Sequence, residues 1–285
     1  MEQKQLKYTI KIYGEGYTEW FYFDQLRATN KFKFTIEPDM PNGSRSSYKK
    51  RLKLIDQELK KRSQERANAI FLITDLDNIL SDKKALEEYL SKKAAYKAKG
   101  VQFIESHPCI ELWFLYHFWD KFEKSVFRTY DEMKGVLRKV LPSYDKSTSY
   151  YLKNKQFKDC IMQDAARRRQ AVSNGIKSCK YETAEGEICN YSEMFKAIHF
   201  FRLLKKFCEL DSIIKERKRT SVNLSLTIND HKALTVSYDN RRLCQFKYDD
   251  KGKLHLNTNC SDSIIPDDEP LHYESKDIDT ILALT

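Results

Sequence analysis

The sequence predicts an α/β fold: a mostly parallel sheet flanked by helices, with a helical extension and a small β-rich C-terminal appendage. Three observations carry that expectation. Strand-type runs alternate with helix-length segments over residues 1–125, the pattern of a parallel sheet covered on both faces. One of these runs, AIFLIT at Ala69–Thr74, is apolar throughout, as a strand buried on both sides must be. Beyond about residue 217 the pattern changes to short alternating runs punctuated by turn residues.

Each element follows from its residues. Lys7–Tyr13 (KYTIKIY) alternates and is rich in β-branched and aromatic side chains, so it reads as the first strand. Tyr17–Thr29 has helical spacing, with Trp20, Phe23, Leu26 and Arg27 available to one face. A second strand fits Lys31–Glu37. The turn-rich Pro38–Ser47 opens a strongly charged helix over Tyr48–Arg66. After the third strand, Ser81–Lys99 is an amphipathic helix with Ser81 as N-cap and Gly100 as C-cap. Val101–Glu105 is the fourth strand, and Pro108 starts the apolar helix CIELWFLYHFW. Thr129–Ile214 reads as mostly helical with a polar interruption at Ser173–Asn190. The tail runs SVNLSLTI, ALTVSYD, RRLCQFKYD and KLHLNTN are separated by Asn-Asp, Asp-Asn and Asp-Asp-Lys-Gly turns. The expected division is a catalytic core at 1–125, a helical extension completing the site at 126–217 and the β-rich region at 218–285.

Composition narrows the function classes. A chain of 285 residues can bury a core without disulfides, and its seven scattered cysteines suit reduced thiols. No apolar run approaches the roughly 18 residues of a membrane helix, so the expected setting is cytoplasmic with no membrane partner. The formal net charge is +10, which favours a polyanionic partner. That charge is uneven: from Thr220 onward seven Lys and Arg face eleven Asp and Glu, leaving about −4 there and about +14 before it.

Acids cluster where strands end. Gly14-Glu15-Gly16 follows the first strand, and the glycines permit a backbone path that a Cβ resists. Glu15 and Glu19 are four apart, so a helix beginning by Glu15 stacks them on one face. Asp75 and Asp77 follow the buried third strand, and extended geometry would point both to one side. Glu111 is the acid at the start of the apolar helix, where the helix dipole favours it. Ligands of parallel sheets sit beyond the carboxyl ends of the strands. Acids gathered there form a hard oxygen cluster suited to Mg²⁺ or Mn²⁺, because a divalent cation relieves their mutual repulsion.

The segment GEGYTEWFYF resembles the motif of Toprim-type catalytic domains, in the two-glutamate form of the overcoming-lysogenization-defect nucleases and RloB-like proteins. DLDN, SHPCIELWFLYHF, the YDK at Tyr144–Lys146 and NYSEMF at Asn190–Phe195 occur in the order found in RloB-like proteins. The resemblance spans roughly Lys7–Cys208. His107 stands where that family usually has Asn, and Ile110 where it usually has Phe. The resemblance implies a Toprim-like sheet and a metal-dependent nuclease linked to restriction or phage defence, often beside an ABC-type ATPase. It implies Glu15 as principal metal or acid/base carboxylate, Glu19, Asp75 and Asp77 as metal ligands, Glu111 as a further ligand or orienter, and Lys146 as stabiliser of phosphate charge.

Arg45, Lys49, Lys50 and Arg51, with the run Arg167-Arg168-Arg169, are candidate phosphate contacts, the alternative being a solvated basic face. Tyr130, Tyr144, Tyr150 and Tyr151 interleave with lysines, which suits unpaired bases, although aromatic residues more often fill cores. The expected function is an endonuclease acting on RNA such as transfer RNA, or on DNA. Two alternatives stand beside it. One is a catalytically weak nucleic-acid-binding or regulatory subunit of an ATPase complex. The other is a haloacid-dehalogenase-like phosphatase, because FLITDLDN resembles that family's nucleophile motif.

Overall fold

The computed structural model describes residues 8–40, 47–180, 189–218, 222–228, 230–266, 268–272 and 274–285. The chain divides into two compact units, 7–195 and 196–285.

In the first unit a five-stranded sheet has the order β2-β1-β3-β4-β5, from strands Thr9–Tyr13 (β1), Thr35–Asp39 (β2), Ala69–Asp75 (β3), Val101–His107 (β4) and Tyr191–Ser192 (β5). The first four pair in parallel and β5 is antiparallel to β4, so the sheet is mostly parallel as the sequence predicts. Ile12 lies beside Phe71 and Ile73 beside Ile104, each buried, which explains the continuous apolar run of β3. One face packs against Tyr48, Leu52 and Ile55 of a helix at Tyr48–Leu59 and Tyr89 of a helix at Lys83–Lys97. Successive residues such as Phe71 and Ile73 point the other way and are fully buried too.

The helices of this unit are Tyr17–Asn30 (α1), Tyr48–Leu59 (α2), Asp77–Leu80 (α3), Lys83–Lys97 (α4), Glu111–Tyr116 (α5), Tyr130–Val140 (α6), Thr148–Lys153 (α7), Lys155–Phe157 (α8), which runs into a π-helical turn at Lys158–Gln163, and Ala165–Lys180 (α9). Several boundaries differ from the sequence expectation: β2 runs Thr35–Asp39 in place of Lys31–Glu37, β4 continues past Glu105 to His107, α5 covers only Glu111–Tyr116 of the apolar run, and Ala98, not Gly100, is the C-cap of α4. The charged helix α2 stops at Leu59 instead of Arg66, because Glu58 turns back to accept the Ala67 N–H at 2.9 Å and residues 60–66 offer no buried apolar face. Asp82, not Ser81, caps α4, its carboxylate accepting the Lys84 N–H at 2.8 Å. Most of the turn-rich 38–47 segment, residues 41–46, lies outside the described residues, as do residues 181–188 of the polar interruption. The described start of that interruption, Ser173–Lys180, continues α9 as helix.

The second unit contains most of the long helix Met194–Lys218 (α10) and a separate antiparallel sheet of order β10-β9-β8-β7-β6. Its strands are Ser225–Ile228 (β6), Ala233–Tyr238 (β7), Arg241–Tyr248 (β8), Leu254–Thr258 (β9) and Asp262–Ile265 (β10), followed by the helix Lys276–Ala283 (α11). The turn signals act as read: Asp239 and Asn240 take φ of 49° and 59°, and Gly252 takes 78°. Buried Leu234, Val236, Phe246 and Leu256 form its core. All seven cysteines carry free thiols. Among the described residues no helix is long and apolar enough to cross a membrane.

Candidate metal centre

The strand order reverses direction between β1 and β3, and crevices at such switch points are where open α/β sheets bind ligands. A cavity of about 720 Å³ opens there, lined by Glu15, Tyr17, Glu19, Lys49, Asp75, Asp77, Cys109 and Lys146 among others. Residues some sixty positions apart in the chain therefore meet at one rim.

Gly14 has a packing reason. A Cβ at Gly14 would lie 2.4 Å from the Glu19 Cβ, so only glycine lets the end of β1 pass this close to α1. Neither Gly14 nor Gly16 takes a left-handed conformation, so close approach, not an unusual backbone path, explains Gly14. Helix α1 begins at Tyr17 with Gly16 as N-cap, which corrects the expected i,i+4 stacking: Glu15 precedes the helix. Glu19 instead turns back on the helix start, its Oε2 accepting the N-cap Gly16 N–H at 2.9 Å, the half of a capping box that a glycine N-cap allows. Glu19 is buried, and desolvation followed by the nearby Glu111 charge raises its pKa above the ordinary value.

The turn after β3 also departs from expectation. Leu76 is helical (φ −100°, ψ −3°) and Asp77 starts α3, so the two aspartates do not share one side of an extended strand. Both nonetheless line the cavity. Two reciprocal contacts set this edge. Asp75 Oδ1 accepts the Ile110 N–H at 2.9 Å, while the Pro108 carbonyl accepts the N–H groups of Leu76 and Asp77 at 3.2 and 3.1 Å. Asp77 Oδ1 accepts the Asn78 backbone N–H at 2.7 Å. Desolvation, then Glu19 and Glu111, push the Asp75 pKa well above the usual carboxylate range.

Glu111 lies behind the cavity wall, fully buried. Its Oε1 receives Lys146 Nζ at 2.8 Å, the Tyr144 hydroxyl at 2.9 Å and the Thr18 hydroxyl at 3.5 Å. Tyr144 and Tyr151 hydroxyls are 2.7 Å apart, and Tyr151 donates to Thr18 Oγ1 at 3.1 Å, closing a buried ring. Oε2 is buried without an oxygen or nitrogen donor, and the Cys109 thiol is a further group that favours the charged carboxylate. Burial would raise the Glu111 pKa, but the adjacent Lys146 ammonium and these donors hold it below the ordinary value. Lys146 is fixed from a second direction by the Tyr130 ring, 3.9 Å from its Nζ, and despite burial its pKa is raised by Glu111.

The ligand atoms of Asp75, Cys109 and Glu111 lie within 4.8 Å of one another, a group able to hold a metal ion. The bare Glu111 Oε2 fits that role, since a buried acceptor with no donor is costly unless a cation meets it. Cys109, Thr18 and Tyr151 were not singled out from sequence as parts of this centre. The spacing Cys109-x-Glu111 carried the signal for the thiol, because both residues follow one strand end.

The basic candidates separate. Arg51 is buried with its guanidinium 2.7 Å from Asp39, which removes it from a surface role. Lys49 lines the cavity but pairs with Glu88 at 2.5 Å. Lys50 and Arg169 are exposed. Arg167 pairs with Asp164 at 3.2 Å over the Phe118 ring, and Arg168 donates to the Met162 carbonyl at 2.5 Å, so both are used within the fold. Arg45 lies outside the described residues. Tyr144, Tyr150 and Tyr151 are buried, the core reading rather than the base-platform one, and Tyr130 is half-buried. His117 is a scaffold histidine: its Nδ1 lies 2.9 Å from the Trp113 carbonyl, and burial lowers its pKa to about 4. His107 is buried, and desolvation lowers its pKa.

With this geometry in place, comparison with protein families gives the class: the model of the RloB-like protein family matches residues 10–201. The chain belongs to the RloB-like family, and the match contains every acid named above together with Lys146. No curated protein and no solved structure matches the chain.

Proposed function

We propose that the protein is a Mg²⁺- or Mn²⁺-dependent nuclease of a bacterial defence system, acting on RNA such as transfer RNA or on DNA, with an ABC-type ATPase as partner. One observation carries this reading: Glu15, Glu19, Asp75 and Asp77 converge on a single cavity that also receives Lys146, with Glu111 buried behind it. Four carboxylates lining one cavity beside one fixed ammonium leave an excess of negative charge that a divalent cation offsets.

Asp75, Asp77 and Glu111 would hold the metal, with Glu15 as ligand or proton acceptor and Glu19 contributing the oxygen not engaged by Gly16. When bound, a divalent cation supplies polarisation of the phosphodiester and a more acidic water. Lys146, held between Glu111 and Tyr130, is positioned to donate to a phosphate oxygen as charge grows on it. Exposed Lys50 is the basic candidate offered here to grip backbone phosphates without reading sequence.

The test is cleavage of a mixed RNA and DNA panel with Mg²⁺ or Mn²⁺, comparing wild type with Asp77→Asn. Metal-dependent cleavage lost in the variant supports the nuclease. Nucleic-acid binding without cleavage by the wild type supports a binding subunit instead. Hydrolysis of small phosphomonoesters that survives Glu15→Ala supports the phosphatase.

A further inference from the structure

The donor set at the floor of the cavity is not purely oxygen. Cys109 is 1% exposed, yet it is part of the cavity lining, and its sulfur lies in the 4.8 Å group with Asp75 and Glu111. A thiol placed only to fill space has apolar neighbours. This one stands between two carboxylates. The second observation concerns Glu111: three donors crowd its Oε1, while fully buried Oε2 has no oxygen or nitrogen donor. Asp75 is similarly oriented by the Ile110 N–H on Oδ1, which leaves Oδ2 for a ligand. Both carboxylates thus have the supporting hydrogen bonds that fix metal ligands in place.

Mg²⁺ does not use sulfur, whereas Zn²⁺ and its neighbours in the series gain strongly from a thiolate. We propose that Asp75, Cys109 and Glu111 form a binding site for a thiophilic divalent cation of the Zn²⁺ class, which competes with Mg²⁺ for the shared carboxylates and inhibits the enzyme. The inhibitory part rests on the nuclease reading; the binding part does not. As the metal–sulfur bond forms, the Cys109 S–H bond breaks and its proton passes to solvent, with no change of oxidation state. Tetrahedral zinc holds donors about 3.3–3.8 Å apart, so the three side chains need to close by about 1 Å. The fourth position is left for water from the cavity.

The experiment uses the full-length protein and Co²⁺ as a spectroscopic substitute for Zn²⁺. Wild type is expected to show a near-ultraviolet sulfur-to-cobalt charge-transfer band that disappears in Cys109→Ser. Zn²⁺ affinity should fall on the order of tenfold or more in that variant, the size of effect that loss of a metal-site partner produces. Cys109→Ala, which adds no polar atom to the interior, repeats the test if the serine variant does not fold. Inhibition by Zn²⁺, normalised to each protein's own zinc-free rate, should weaken in parallel. Cobalt bound without the band, a band that survives in Cys109→Ser through exposed Cys179 or Cys260, or unchanged zinc affinity overturns the proposal. A Cys109-dependent band in a protein that cleaves no nucleic acid would leave this site standing and remove the nuclease reading.

Discussion

Glu105 and Glu111 are six positions apart, both buried in the same unit, and differently served. Glu105 has both oxygens engaged: Oε1 by the Tyr89 hydroxyl at 2.7 Å and by Lys93, Oε2 by the Tyr191 hydroxyl at 3.3 Å. Glu111 has its nitrogen and oxygen donors on one oxygen and none of them on the other, and beyond these only the Cys109 thiol assists the carboxylate. A carboxylate saturated on both sides is part of the scaffold. One with a bare buried oxygen carries a cost that the scaffold alone does not explain, and it marks a place kept for a ligand.

Five substitutions test that contrast and its surroundings, in descending order of effect. Glu105→Ala leaves the Tyr89 hydroxyl and Lys93 without their buried acceptor and should destabilise the fold by about 3 kcal/mol in urea denaturation. Added Mg²⁺ should raise the melting temperature of this variant and of wild type alike. Asp75→Asn should leave the fold intact but lower the metal-dependent cleavage rate by at least about a hundredfold, roughly 2.7 kcal/mol of transition-state stabilisation. Cleavage by this variant at the wild-type rate would exclude Asp75 from the reaction. Gly14→Ala places its methyl group against Glu19 and should cost about 1–3 kcal/mol by overpacking, whereas Gly16→Ala meets only the far end of the Glu19 side chain at 3.3 Å and should cost less. Last comes Glu111→Gln, whose amide keeps an acceptor for Lys146 and Tyr144 but loses the charge they stabilise, at a cost of about 1–2 kcal/mol. Yet it should lose the metal-induced stabilisation, which reaches about 2.7 kcal/mol when free metal is a hundred times its dissociation constant. Equal metal-induced shifts in Glu105→Ala and Glu111→Gln would erase the distinction between the two glutamates.

Local pattern made half of this legible. Glu15 and Asp75 could be placed at one sheet edge because each follows an apolar run too short for anything but a strand, and parallel strands end on the same side. The hairpin turns of the second unit were equally readable, since Asp-Asn and Asp-Asp-Lys-Gly demand backbone conformations few other residues accept. What failed depended on partners distant in sequence. Arg51 looked like a phosphate contact until Asp39 claimed it, and which partners would take the Tyr144 and Tyr151 hydroxyls, Glu111 and Thr18, was not readable. Strand β10 and helix α11 were not anticipated because DSII is too short to show a period and Lys276–Ala283 follows a stretch of turn-forming residues. Cys109 escaped attention because cysteine in an apolar segment ordinarily signals packing.

The exchange of hydrogen bonds between the turn after β3 and the turn after β4 has a practical corollary. Asp75 secures the backbone of Ile110, and the Pro108 carbonyl secures Leu76 and Asp77. Neither loop can be grafted, shortened or redesigned as an independent module. Anyone wishing to transplant this chemistry onto another scaffold must carry the two segments across together, as a single stitched seam.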